Sequence, residues 1–489
     1  MRNSHQVTSN ISSILIGRSI ELIINLITIT LIARYLGVEK YGIFNSILAL
    51  TVIISKFSDM GMAPIVFREC SKKEKNIDIL NTSLTLRIIC VIILFILFNT
   101  ITSVIRSNET EVLLSNILLL NLVFSSKYMN FRELFEILFK VNLKMFNVML
   151  FNIIDSIVLL ALVFLMPYFN GGLKYLVIAY VISNIPGFSL LIFDLKKKYK
   201  YRFSFSLKQS YWLIKESIPL FGTLVFTALF QQADVLFLKI LDSEYSVGIY
   251  SAALRLIVPL AIIPQALITT VFPIIVRGRE IDSRNNKFST VLVFKILFLF
   301  SVSLALIVSF ISQKIIVIFF GSEYSDAYLP MIILFWSILF TFFNTFSINL
   351  ITVYNKQKIN FFVTLIVFIT QFAFIYLLTP LYSYSGVAAS RLIASLIGSM
   401  LFFIALKHIG IFYNFLTVSI MKWLVLIAIC TLAFSFFPIY VYLPLELFVI
   451  IISVLKLNYF SHNEMDILLK AIDYDSWKQK LRIHPWKFR

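Results

Sequence analysis

The sequence predicts an all-α polytopic membrane protein with about fourteen transmembrane helices. Twelve of them form a core of two six-helix bundles in parallel repeat. Three observations lead there. First, 59% of the 489 residues are hydrophobic and the mean hydropathy is +0.91. A water-soluble chain of this size cannot cover that much apolar surface with polar groups, whereas lipid removes the need. Second, apolar runs of about 20 residues, the length of a membrane-crossing helix, recur from residue 11 to residue 457. A membrane β-barrel would show weaker alternating segments of about 10 residues. Third, the first half of the chain reappears, in outline, in the second.

Taken in order, the spans run over roughly 11–33, 42–66, 80–105, 112–130, 143–168, 173–193, 214–240, 247–276, 288–320, 328–354, 359–379, 384–406, 420–437 and 439–457. The amino terminus lacks a cleavable signal pattern, so the first run is read as retained. The fourth span is weak because Lys127 and Arg132 crowd its end. Helices 13 and 14 read as a short terminal hairpin, with Glu446 at the membrane interface. The tail 473–489 mixes Trp, Leu and Ile with basic residues. It is read either as a surface-bound amphipathic segment or as a disordered basic tail.

The net charge is +18. In a soluble chain that would point to nucleic acid; here the charge falls in loops. With the amino terminus in the cytoplasm, the odd-numbered loops hold six basic residues: Arg34, Lys40, Arg106, Lys174, Lys239 and Lys314. The even-numbered loops hold dense clusters, including Arg68 to Lys75, Lys127 to Lys144, Lys196 to Lys215 and Arg277 to Lys287. Positive charge gathers on the cytoplasmic side, so both termini are expected there. The long basic connection 194–216 reads as a linker between halves lying on anionic lipid, or as an ordinary basic loop. The domain boundaries expected are a first lobe over 1–205, a second over 206–410, and an accessory hairpin with its tail over 411–489.

The repeat is visible residue by residue. Gly42-Ile43-Phe44 matches Gly248-Ile249-Tyr250 at an offset of 206. Pro64 and Arg68 match Pro273 and Arg277 at 209, and Arg87 matches Lys295 at 208. Three matches in order at a nearly constant offset define an internal repeat. Each unit has six helices, so both insert with the same orientation. Their axis then runs along the membrane normal, as in some secondary transporters.

Several segments sharpen this: "ARYLGVEKYGIFN", "FSDMGMAPIVFRE", "ADVLFLKILDSEYSVGIYSAALRL", "FFGSEYSDAYLPMIIL" and "TPLYSYSGVAASRLIASLIG". They resemble the polysaccharide-export branch of the multidrug/oligosaccharidyl-lipid/polysaccharide exporter superfamily. Wzx-type O-antigen flippases are the nearest match, over about residues 10 to 410. Ile249 and the extra hairpin depart mildly from the pattern. The resemblance implies a V-shaped central cavity. It implies translocation of undecaprenyl-diphosphate-linked O-antigen, capsular or exopolysaccharide units from the cytoplasmic to the periplasmic leaflet of a bacterial inner membrane. A polysaccharide polymerase and a chain-length regulator are the partners it suggests, besides membrane lipids.

The residues themselves show no soluble-enzyme constellation. There is no phosphate-binding glycine loop, no HExxH and no nucleophile motif. Cys70, Cys90 and Cys430 have no metal or pairing pattern, and His5, His408, His462 and His484 lie at ends or loops. No catalytic residue, cofactor, metal or nucleic-acid partner is expected. The informative groups are charges inside spans, which cost roughly 2.5–3.5 kcal/mol each at a helix centre and so face protein or water. Arg18, Arg87, Arg255, Lys295 and Arg391 are the candidates for a cationic cavity, because Arg and Lys suit a diphosphate. Asp59, Asp155 and Asp234 are read as ion-coupling or structural acids. Plain ion pairs compete with these roles, Arg18 with Glu21 and Asp234 with Arg255, and Lys56 either snorkels or lines the cavity. Pro64, Pro219, Pro259, Pro264 and Pro273 are hinges or static kinks. Two rival functions stand beside the flippase. One is a cation-coupled small-molecule exporter of the same superfamily. The other is a membrane polysaccharide polymerase or ligase, disfavoured by short outer loops.

Overall fold

A computed structural model describes residues 2–72, 77–104, 108–128, 130–142, 144–196, 206–261, 263–264, 267–268, 283–354, 356–410, 418–434, 436–457, 459–461 and 464–465. The linker core 197–205, Pro273, Arg277, Arg279 and the basic tail lie outside these residues. Among the described residues the regular structure is helical, with no strand. Lipid dictates this, since a helix satisfies its own backbone hydrogen bonds where no water is present.

The helices are α1 (Arg2–Asp59), α2 (Met62–Lys72), α3 (Ile77–Val104), α4 (Glu109–Leu119), α5 (Asn121–Phe124) and α6 (Phe131–Val141). They continue as α7 (Met145–Leu165), α8 (Leu173–Ile182), α9 (Ile185–Lys196), α10 (Leu207–Leu241), α11 (Glu244–Ile257) and α12 (Ser283–Phe320). The last are α13 (Tyr328–Val353), α14 (Gln357–His408), α15 (Val418–Phe434) and α16 (Ile439–Lys456). Eight stretches are long and apolar enough to cross a membrane. Two of these are double-length. The 58 residues of α1 and the 52 of α14 would each be far longer than a bilayer at 1.5 Å per residue. Each is broken once, α1 at Gly37 (φ 74°) and α14 at Ser383 (φ 50°). The two breaks yield the predicted pairs of spans 1 and 2, and 11 and 12. Every predicted span holds a described helix over at least part of its length, which is consistent with about fourteen.

The fourth span differs from expectation. It does not run on to residue 130: α4 and α5 end at Ser125, which is extended (φ −90°, ψ 136°). A separate amphipathic helix, α6, follows. Its buried face (Phe131, Leu134, Ile137, Leu138) packs into a core with Met62, Ile65, Leu80, Leu84 and Phe151.

Two compact units divide the chain. The first comprises 1–256, 316–327 and 375–387, and the second 257–315, 328–374 and 388–489. Within the first, α1 packs along α7 and α10. Within the second, α15 and α16 pair and pack on α12, around Trp423, Ile427, Leu292 and Val302.

Candidate functional site

In the first unit, the repeat-related glycines meet each other. A Cβ on Gly42 would collide with the Glu244 carbonyl, four residues before Gly248; one on Gly248 would collide with the Val38 carbonyl, four residues before Gly42. The contact is reciprocal, as a two-fold relation between equivalent helices requires. Only glycine lets two helix backbones approach so closely.

The other family-like segments gather at the same crossing. Arg34, at the end of the first half of α1, donates from Nε to the Phe319 carbonyl (3.0 Å) and from Nη2 to the Ile318 carbonyl. These are orphan acceptors at the carboxyl end of α12, where a cation also answers the helix dipole. Tyr324, in the Gly321-Ser-Glu-Tyr turn, is fully buried and donates to the Ala33 carbonyl at 2.9 Å. Its ring meets Tyr41 edge-on. Ser383, at the break in α14, donates to Asp242 and lies 2.9 Å from Ser246 Oγ. These side-chain bonds fix a serine in a left-handed conformation that would otherwise relax.

The intramembrane charges sort by partner. Arg87, fully buried, donates to Asp59 and to the Asn130 carbonyl; Asn130 in turn donates to Ser58. Asp155 is paired by Arg132, which also reaches Glu136 Oε1 (3.2 Å), Asn152 Oδ1 (2.9 Å) and the Phe124 carbonyl (3.2 Å). The Gly187 N–H donates to Asp155 Oδ1 at 2.8 Å. Lys295, in the second unit, is met by Glu464 at 2.8 Å and by the Tyr459 carbonyl at 3.3 Å. Glu464 also accepts from the Ser461 N–H at 2.7 Å.

These positions bear directly on the predicted cationic cavity. Arg87 and Lys295 each meet a carboxylate, Asp59 and Glu464 respectively. Arg132, a loop cation by its position in the sequence, is fully buried in the fold. The anticipated Asp234–Arg255 pair is not formed. Asp234 is buried and accepts from the Tyr250 hydroxyl, while Arg255, half-buried, donates to Asn45 Oδ1 at 2.8 Å. Arg18 is exposed and Arg391 half-buried. Glu446, expected at the interface, is fully buried between α15 and α16.

Beside Asp155 lies a small polar-lined cavity, bordered by Glu21, Asn121, Lys127, Tyr128, Asn152 and Tyr180 among others. Buried Asn121 Nδ2 and Ser156 Oγ have no hydrogen-bond partner there. One sequence signal marks this region. Arg132 and Glu136 stand four apart in FRELFEILFKV, the spacing of a helix-face ion pair.

The protein is thus an all-helical, multi-pass membrane protein with two kinked double-length helices and a symmetric glycine crossing. The family model described as "Polysaccharide biosynthesis protein" matches residues 7–279, more than half the chain. The chain belongs to that polysaccharide biosynthesis family. No curated protein sequence matches it. Among solved structures it is similar to the lipid II flippase MurJ in an inward closed conformation, with TM-score 0.72 and 19% identity, covering 90% of this chain and 97% of that one. It is also similar to a multidrug resistance MATE family transporter of the MOP superfamily in an inward-facing conformation (TM-score 0.60, 14% identity, 80% and 95% covered). A third likeness is a MOP superfamily transporter from Pyrococcus furiosus (TM-score 0.55, 16% identity, 83% and 96% covered). At these identities the likeness concerns the fold.

Proposed function

We propose that the protein is a lipid-linked oligosaccharide flippase. It moves undecaprenyl-diphosphate-linked repeat units of O-antigen, capsule or exopolysaccharide across a bacterial inner membrane, by alternating access and without making or breaking a covalent bond. Both termini lie in the cytoplasm in this reading, and the lobes follow the repeat at 1–205 and 206–410. A polysaccharide polymerase and a chain-length regulator would act on the product side.

The observation that supports it best is the state of Arg255. Among the described residues its hydrogen bond goes to a neutral amide, Asn45, and not to a carboxylate. Its charge is therefore left for an anion, and its planar fork suits phosphate oxygens. Arg18 and Arg391 are further candidate anion-binding residues, each within its own unit, while Arg87 and Lys295 serve structure through their acidic partners. Asp155 faces the polar cavity and is the coupling acid in this scheme; Asp59 is structural.

Replacing Arg255 with Ala removes a charge-assisted hydrogen bond of about 1.5–3 kcal/mol, so lipid-diphosphate affinity should fall roughly 10- to 100-fold. Arg255→Lys should recover part of it. The assay is surface polysaccharide at matched protein level, with binding of the lipid diphosphate to the purified protein. Unchanged binding and polysaccharide in Arg255→Ala would remove the residue from the mechanism. A cation-coupled small-molecule exporter is the second reading, favoured by the carboxylates Glu21 and Asp155 at one polar cavity. Drug-sensitivity profiles of a deletion strain separate the two.

A further inference from the structure

The hairpin of α15 and α16, which the flippase reading leaves unused, holds a carboxyl with no cation to answer it among the described residues. Glu446 on α16 is fully buried. Its Oε1 lies 2.6 Å from Thr431 Oγ1 on α15, and its Oε2 has no hydrogen-bond partner. Thr431 Oγ1 also lies 2.7 Å from the Ile427 carbonyl oxygen, one turn earlier. Both are hydrogen-bond distances.

Thr431 has one proton for two contacts, and sharing it between two acceptors gives two weak bonds, whereas a second proton on the carboxyl gives two full ones; a backbone carbonyl carries none. With Thr431 donating to Ile427, the hydrogen in the second contact belongs to Glu446. The surroundings agree. The titratable groups nearest it are Cys430 on α15 and Tyr442 on α16, neither of which supplies positive charge. Tyr442 sits one turn before Glu446 on the same helix face, and its buried hydroxyl also lacks a partner. From α12 the hairpin meets Ile307 and Ile311, and Phe310 against the Tyr442 ring. An ionised carboxylate in such a place would be a buried charge without a counter-ion, which proteins avoid by neutralising the group.

We propose that Glu446 is a proton-binding site. It rests as a neutral carboxylic acid that donates to Thr431, which donates in turn to Ile427. Asp59 and Asp155 are neutralised by arginines; Glu446 is neutralised by a proton. Releasing that proton leaves an unpaired anion in the apolar seam of α12, α15 and α16, so the packing of the hairpin depends on the proton being bound. This inference is independent of the flippase reading.

The test is infrared difference spectroscopy on the purified full-length protein at neutral pH, wild type minus Glu446→Gln, in ordinary and heavy water. The expected result is a carboxylic-acid C=O band that is present in the wild type, absent from the variant and shifted by deuteration. Loss of a carboxylate band in its place overturns the proposal. The amide keeps the shape and donor of a neutral acid, so the variant should melt with the wild type. Should it not fold, Thr431→Val serves: removing the acceptor moves the same C=O band to higher frequency, and an unmoved spectrum also overturns the assignment.

Discussion

Arg132→Ala is the most exacting test of the buried network in the first unit. Arg132 answers two carboxylates, Glu136 and Asp155, and its side chain is fully buried. Truncation leaves both acids without it; Lys140, 3.6 Å from Glu136, can answer only one. Removing one partner of a buried pair costs about 3–5 kcal/mol, because the remaining charge stays out of water. For a large domain 1 kcal/mol lowers the melting temperature by about 2 °C, so the apparent melt should fall by roughly 6–10 °C. Detergent-solubilised protein followed by size-exclusion fluorescence after heating reads this directly. Arg68→Ala is the control: its bonds to Glu69 and Glu216 are at the surface, where solvent screens such pairs. The double variant Arg132→Met, Asp155→Leu replaces charges by apolar groups and should be less damaged than the sum of its parts. An Arg132→Ala protein that melts with the Arg68→Ala control would refute the burial argument.

Two further outcomes follow from other contacts. Gly42→Ala and Gly248→Ala should each destabilise by about 1–3 kcal/mol or more, since backbone and not a flexible side chain blocks the methyl. The pair should be clearly less than additive, because the first methyl already separates both helices; simple additivity in thermal melts would disprove the reciprocal crossing. Lys295→Met and Glu464→Gln should each loosen the segment after α16 by about 3–5 kcal/mol. Limited proteolysis near residue 460 reads that loosening, and equal cleavage of wild type and variants counts against the Lys295–Glu464 pair holding that segment.

How far the sequence reached depended on the physical quantity at stake. Hydropathy reports contact with lipid over a whole helix, so the spans were legible, including the pairs hidden inside α1 and α14. The Gly42 and Gly248 match was legible because a backbone approach admits one residue type and tolerates little drift. The helix α6 was not: its 11 residues are too short and too charged for a hydropathy run, and Arg132 and Lys127 looked like loop cations. The long-range partners of the buried charges were also invisible. Arg87 and Asp59 are 28 residues apart, Arg132 and Asp155 are 23, and Lys295 and Glu464 are 169. No local periodicity links such positions.

That separation changes what an intramembrane charge signifies. Depth alone marked Arg87, Lys295 and Arg255 as equals, since each costs the same to insert. The partners distinguish them. A cation met by a carboxylate, as Arg87 and Lys295 are, has its insertion cost offset inside the protein and its field cancelled at short range. Arg255, met by the Asn45 amide, keeps its field. Asn45 lies on the same helix as Gly42, three residues further along and one turn from the glycine crossing, while Arg255 lies seven residues after Gly248, two turns along α11. The uncancelled charge is thus tied to the two helices whose close approach depends on glycine. Opening that crossing would move Asn45 relative to Arg255 and alter the arginine's only amide partner among the described residues. An anion bound at Arg255 and the state of the crossing would then be linked, and linkage is reciprocal: Gly42→Ala should change lipid-diphosphate affinity without touching the ligand, and an affinity unaffected by that substitution would break the connection.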